Sequence, residues 1–260
     1  MEIGVSNLFC MGLYDGKLNQ FSAELGIEVF AECGSEYHWN HLLPQVMEGR
    51  SAFLSIHGPF QHLDLSDPNG DFEEMKQAYI QAFELCRKFH AKHCVCHPYD
   101  GGRPEDDTEE ALALARQTSL ERVLYLNKLA KQYGVELLVE NMPEKNGMLD
   151  EMAFLELFAP HEELHFLIDT GHANLLDWDM MIAFVRLGSR IKGYHLHDNH
   201  GDADSHLKVW EGTFDWEVFF RGYKKYSPDA VLVCEYNYGP VEEIIESANR
   251  IRSYLDQVQI

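Results

Sequence analysis

Residues suited to metal chemistry crowd into one stretch of the chain, IKGYHLHDNHGDADSH at positions 191–206. It opens with the composition of a buried strand, Ile191–Leu196, and then turns into imidazoles and carboxylates. Side chains of an extended strand alternate between faces, so His195 and His197 point the same way. Asp204 and His206 repeat that spacing further on. Such a run has little value as packing. Neutral imidazole nitrogens and anionic oxygens brought together at a strand's end are what a first-row divalent ion binds. Taken alone, the stretch reads almost as well as a solvated polar loop, and residues elsewhere in the chain separate the two readings.

Groups of the same kind close other apolar runs. His57 ends the run in SIHGPF, His97 in CVCHPYD, Glu140 in LLVEN and Glu235 in LVCEYN. Asp169 ends the run in LIDTGH, with His172 three residues on. The elements that must position them are eight β-rich segments, at Ile3–Ser6, 27–31, 52–57, 94–97, 135–140, 164–169, Ile191–Leu196 and 230–235. The last six of these carry a side chain able to ligate a metal at their end, His195 being the one in Ile191–Leu196. Between the segments the apolar spacing is helical. One helix is marked by Phe72, Met75, Tyr79, Phe83, Cys86 and Phe89, with Asp71 and Glu74 as a capping box at its start. A longer one carries Ala111, Leu114, Ala115, Thr118, Val123, Leu126, Ala130 and Tyr133 and stops at Gly134. The last follows Pro240 through Val241, Ile244, Ile245, Ala248, Ile251 and Leu255. Weaker helical patterns fall around 17–25 and 40–48.

Strand alternating with helix eight times over 260 residues places the chain in the α/β class. The expected fold is one (β/α)8 TIM barrel domain spanning residues 1–260. A parallel barrel delivers the C-terminal ends of all its strands to one face. Residues as distant in sequence as His57 and Glu235 then share one pocket.

Each position has a plainer reading. His57 before Gly58–Pro59 and His97 before Pro98 can simply hydrogen-bond within turns, and Asp169 can cap the turn that follows it. Glu140 and Glu235 resist this, because an ionised carboxylate at the end of an apolar run is costly unless paired or metal-bound. The nearby loops offer few cations to pair with them, chiefly Arg103, Lys145 and Lys208. His62, His197 and His200 read as supporting or solvent-facing groups rather than ligands.

The ordered set HGP, HP, EN, DTGH, HLHD, DxH and a final Glu resembles the xylose isomerase-like barrel superfamily over nearly the whole chain. That superfamily includes sugar isomerases, ketose 3-epimerases, related sugar-acid and inositol enzymes, and endonuclease IV. The epimerase branch implies one divalent ion held by Glu140, Asp169, His195 and Glu235, with the two glutamates also moving protons. The endonuclease IV branch implies a three-zinc cluster that adds His57, His97, His172, Asp204 and His206, with Glu140 bridging. The Gly-Glu-Gly that often follows the DxH is here Trp210-Glu211-Gly212. Trp210 at the pocket mouth would suit stacking on a sugar face, or it packs.

Charge weighs between the branches. With 21 Lys and Arg against 43 Asp and Glu, the net charge is −22. A surface this acidic, with loops such as the one from Asp100 through 101–107, repels a polyanion, so a nucleic-acid partner is not expected. The expected function is a metal-dependent isomerase or epimerase acting on a sugar or sugar derivative through an enediolate. Glu140 and Glu235 are its acid/base pair, and one to three ions of Mn²⁺ or Zn²⁺ its cofactor. The runner-up is a multi-zinc phosphodiester hydrolase, and a non-catalytic metal- or sugar-binding barrel comes third. Six cysteines scattered mostly through apolar segments read as reduced, buried thiols, Cys94 and Cys96 facing away from the side His97 takes. The first residues lack the basic and apolar regions of a signal peptide and no apolar run is of membrane-spanning length, so a cytoplasmic location is expected.

Overall fold

Eight short parallel strands pair in sequence order and close on themselves: β1 (Ile3–Ser6), β2 (Gly26–Phe30), β3 (Leu54–His57), β4 (Cys94–Cys96), β5 (Leu137–Glu140), β6 (His165–Asp169), β7 (Ile191–Leu196) and β8 (Val231–Cys234). Closure is the β1–β8 pairing, with Ile3 opposite Leu232 and Val5 opposite Cys234. The computed structural model describes residues 1–100, 108–143 and 148–258. Arg103, Lys145 and the acidic stretch 101–107 lie outside the described residues.

The outer layer is helical: α1 (Glu36–Met47), α2 (Phe72–Phe89), α3 (Glu109–Tyr133), α4 (Glu151–Phe158), α5 (Thr170–Leu175), α6 (Met180–Leu187), α7 (Trp216–Tyr226) and α8 (Val241–Gln257). Asp71 caps α2 by accepting from the amides of Glu73 and Glu74, and Gly134 ends α3 in the left-handed conformation at φ 71°. A cap of the first kind contributes about 1 kcal/mol. The helix expected around 17–25 is instead a 3-10 segment, Gly12–Gln20, entered through Gly12 at φ 77°. The one expected around 40–48 starts earlier, because Ser35 accepts from the amide of His38 and sets the helix start there.

Inside the barrel, side chains stack in tiers. At the floor the ring of Phe53 packs with Val231 and Val233. A Cβ on Gly4 or Gly26 would lie 2.7 or 2.3 Å from that ring, so both positions leave room for it. Above the floor Val95, Leu138 and Leu167 form a separate apolar cluster. Alternation then places His97, Glu140 and Asp169 two residues further on, one tier up, on the same inward face. Val233 and Glu235, and Gly193 and His195, follow the same rule. The tiering explains why imidazoles and carboxylates appear at strand ends: the interior below them is filled with apolar side chains.

The outward faces of the strands pack on the helices in the main core, which includes Ile27, Ile56, Phe166 and Leu232. Cys94 and Cys96 belong to this outer face, Cys96 meeting the Tyr79 hydroxyl, which donates to its sulfur at 3.3 Å. All six cysteines are free thiols. Among the described residues no helix is long and apolar enough to cross a membrane.

Candidate metal centre

Glu140, at the end of β5, is the hub of the site. Its Oε2 lies 3.1 Å from His97 Nε2 and 3.6 Å from His57 Nε2, and its Oε1 3.1 Å from His195 Nδ1 and 3.7 Å from His172 Nδ1. His195 Nδ1 also faces Glu235 Oε2 at 3.4 Å and Asp169 Oδ2 at 3.7 Å. The strands thus bring all four residues of the expected one-ion set to a common point.

His57, His172 and His206 are each oriented through Nδ1. His57 Nδ1 donates to the Gly58 carbonyl at 2.9 Å, His172 Nδ1 to that of Asn141 at 2.7 Å, and His206 Nδ1 to that of Glu235 at 2.8 Å. Each then turns Nε2 toward a carboxylate: His57 toward Glu140, His172 toward Asp204 at 3.4 Å, and His206 toward Asp204 at 3.2 Å. Fixing one ring nitrogen on a carbonyl sets the tautomer and leaves the other as a lone-pair donor, which is how metal-ligating histidines are held. Asp169 is held similarly by Asn141, whose side chain accepts from the Asp169 amide at 2.8 Å and donates to its carbonyl at 3.1 Å. Asp169 also caps α5, accepting from the His172 amide at 2.8 Å, so its capping and site roles coexist.

Asp204 and His206 come from the loop after β7, and Asp198 fastens that loop. Its backbone pairs with Leu207 through two hydrogen bonds, and its carboxylate accepts from Trp216 Nε1 at 2.7 Å and from the Phe214 amide at 3.1 Å. A Cβ on Gly212 would fall 2.2 Å from the Asn199 carbonyl and 2.3 Å from Asp198 Oδ1, so the glycine permits this closure. His206 is held at φ 46°, a left-handed backbone that costs a non-glycine residue about 1–3 kcal/mol.

At two residues the structure separates alternatives that the sequence left open. His197 is fully buried, which excludes the solvent-facing one and leaves the supporting one. Its Nε2 reaches Asp169 at 2.9 Å, and its ring stacks on His206 at 3.8 Å. Alternation carries it to the same side as His195 even though β7 has ended. Trp210 is not at the pocket: its ring packs among Trp216, Phe220 and Tyr254 with the Arg250 guanidinium 4.2 Å away, on a backbone at φ 72°. His62 and His200 are exposed, and Lys208 pairs with Glu243 at 2.7 Å. Glu28, in the middle of β2, escaped the sequence reading. Its Oε1 accepts from His195 Nε2 at 2.6 Å. An inward-facing acid in the interior strand GIEVF was the signal.

Histidine, aspartate and glutamate atoms fall into overlapping groups within metal-binding reach of one another. The groups are His172, His197, Asp204 and His206; His57, His97 and Glu140; Glu28, His195 and Glu235; Glu140, Asp169 and His172; and Asp169, His197 and Glu235. The electrostatics follow from this crowding. Burial opposes ionisation of Glu140, but His195 and His97 outweigh it and hold the carboxyl well below its usual range. Burial lifts Glu235 above its range, with His195 and His206 pulling it back. Burial pushes His97 down to about 4 despite Glu140. For His172 burial acts downward too, but Asp169 and Asp204 raise it to about 10.

Five buried or largely buried carboxylates, those of Glu28, Glu140, Asp169, Asp204 and Glu235, therefore depend on positive charge, and no Lys or Arg lines the pocket among the described residues. Oε1 of Glu235 and Oδ1 of Asp204 are buried without a hydrogen-bond partner among the described residues. Imidazole and carboxylate donors with such spare atoms fit divalent cations of the first transition row. The pocket above them, about 230 Å³, has apolar walls that include Leu8, Phe30, Phe60, Tyr99, Met142 and Pro143.

Comparison with known proteins agrees with the barrel fold. The family model described as xylose isomerase-like TIM barrel matches residues 26–254. A protein of Methanocaldococcus jannaschii, MJ1614, is 26% identical over 178 residues, spanning 66% of this chain and 66% of its own length. Among solved structures, a D-tagatose 3-epimerase-like protein superposes with a TM-score of 0.82 at 23% identity, covering 98% of this chain and 97% of that one. D-psicose 3-epimerase from Clostridium cellulolyticum, solved with D-tagatose, gives 0.78 at 16% identity and covers 99% of each chain. The TTHB071 protein of Thermus thermophilus, soaked with ZnCl2, gives 0.71 at 22% identity and covers 100% of each. At these identities the structural likeness speaks for the fold.

Proposed function

Because the chain belongs to the xylose isomerase-like TIM barrel family, we propose that it is a metal-dependent sugar isomerase or epimerase that removes a proton beside a carbonyl and returns it. The observation carrying this reading is the approach of both Glu140 and Glu235 to His195 Nδ1, at 3.1 and 3.4 Å, with both glutamates lining a monosaccharide-sized pocket. Glu140, Asp169, His195 and Glu235 would hold a divalent ion. When bound, it would polarise a carbonyl oxygen and offset the negative charge that builds as the proton leaves. The chain supplies the rest. Glu140 and Glu235 reach the pocket from β5 and the end of β8, so one takes the proton and the other gives one back. Oε1 of Glu235 has no hydrogen-bond partner among the described residues, which leaves it spare for this role. The walls of Phe30, Phe60 and Met142 exclude water from the carbon being deprotonated. With Asp100 on the rim and no Lys or Arg lining the described pocket, the substrate is an unphosphorylated sugar. The ketose 3-epimerases among the structural neighbours support this choice.

Metal-loaded protein offered D-tagatose, D-psicose and D-fructose is expected to interconvert at least one with an isomer. Glu140→Gln and Glu235→Gln should abolish turnover, with metal content measured in each variant. Turnover surviving both changes sinks the assignment.

A second reading, a multi-zinc phosphodiester hydrolase, is favoured by the convergence of His57 and His97 on Glu140 Oε2, more ligands than one ion requires. Three zinc equivalents per chain and metal-dependent nicking of abasic DNA would support it. The charge of −22 and the narrow pocket oppose it.

A further inference from the structure

Beneath the candidate metal centre, the carboxylate of Glu28 is engaged at both oxygens. Oε1 accepts from His195 Nε2 at 2.6 Å, and Oε2 accepts from the Ser55 hydroxyl at 2.8 Å, with His93 Nε2 3.5 Å away. Glu28, Ser55 and His195 are all fully buried, and Glu28 does not line the pocket. The opposite nitrogen of the same ring, Nδ1, is the one that faces Glu140, Asp169 and Glu235.

We propose that Glu28 is a positioning residue: it holds the His195 ring with its proton on Nε2, so that Nδ1 carries the lone pair turned toward the metal. The inference rests on His195 being a metal ligand, as proposed above, and adds a second tier that decides how well it ligates. An ionised carboxylate behind an imidazole fixes the tautomer and ring angle and makes the ligating nitrogen more basic. Ser55 takes up the other carboxylate oxygen and so keeps Glu28 from rotating away. Glu28 lies within reach of a group with His195 and Glu235, but its nearer oxygen is engaged by His195 and the other by Ser55, which assigns it to the ring rather than to the ion. Burying this anion is costly without a cationic or hydrogen-bonding partner, and His195 and His93 are what hold it below the usual carboxylate range despite its burial.

The test is the Zn²⁺ affinity of the full chain, stripped with chelator and titrated in competition with a chromogenic chelator. Glu28→Gln keeps the volume and an acceptor oxygen but loses the charge, and is expected to weaken Zn²⁺ binding about 10–100-fold. Glu28→Ala should weaken it at least as much. Ser55→Ala, which leaves Glu28 in place, should shift affinity several-fold in the same direction and serves if the Glu28 variants do not fold. The decisive arm is a His195→Ala background, where Glu28→Gln should cost nothing further, because the ring through which it acts is gone. The Co²⁺-substituted Glu28→Gln protein should also show an altered visible absorption spectrum. Affinity within twofold of the original chain in both Glu28→Gln and Ser55→Ala overturns the proposal. So does an undiminished Glu28→Gln effect in the His195→Ala background, which would make Glu28 a direct ligand or a general stabiliser. An original chain that takes up no Zn²⁺ overturns the metal reading itself, a result distinct from either.

Discussion

Glu140 and Asp169 differ from ordinary buried acids in the number of imidazoles turned toward them. If these imidazoles and carboxylates exist to bind ions, Glu140→Gln and Asp169→Asn remove an anionic ligand while keeping the shape. Each is expected to lower metal affinity by more than the roughly 100-fold typical of losing a supporting group. Elemental analysis of protein purified without chelator reads this, and unchanged content in both variants would refute the ligand assignment. Gly171 tests the other half of the cluster. A Cβ there would lie 1.9 Å from His197 Cε1, so Gly171→Ala must displace the ring or the backbone. The expected cost is about 1–3 kcal/mol in urea unfolding, together with fewer metal equivalents per chain. Stability and metal content both unaltered would mean that His197 has no fixed place in the site. At this scale the sequence was legible where an inward-facing carboxylate closes an apolar run, as at Glu140 and Glu235. It was not legible at Glu28, whose partner His195 is 167 positions away and is met only on barrel closure.

At the scale of elements, alternation along each strand ties the site to the tiers beneath it. Phe53 fills the floor at the barrel end opposite the ligands. Phe53→Ala should cost about 3–5 kcal/mol in urea unfolding and leave metal content unchanged under native conditions. Loss of metal from the folded variant would mean the floor and the site are one cooperative unit. Strands were legible because β-rich runs bounded by turns need only local pattern. The 3-10 segment Gly12–Gln20 was not, because the helical spacing of Leu18, Phe21 and Leu25 runs across its end, where Phe21 is extended. Trp210 was equally hidden. Its left-handed backbone and its packing against Tyr254 and Arg250 depend on α8, which lies far along the chain.

For the whole molecule, a net charge of −22 and a buried anionic cluster predict that folding and cation binding are linked. Zn²⁺ or Mn²⁺ at about 100 times its dissociation constant is expected to stabilise the fold by about 2.7 kcal/mol. Chelation should therefore lower the melting temperature and re-addition restore it. A melt indifferent to chelator would show that protonated imidazoles alone balance the carboxylates. The central claim is proton exchange beside a carbonyl, and it is tested most directly in D₂O. Metal-loaded protein is incubated with D-tagatose, D-psicose and D-fructose, and the hydrogens adjacent to the carbonyl are followed by proton NMR. Deuterium is expected to enter that carbon in at least one sugar, and in none with Glu235→Gln loaded to the same metal content. No exchange into any of the sugars by protein carrying its metal, together with nicking of abasic DNA, would contradict it.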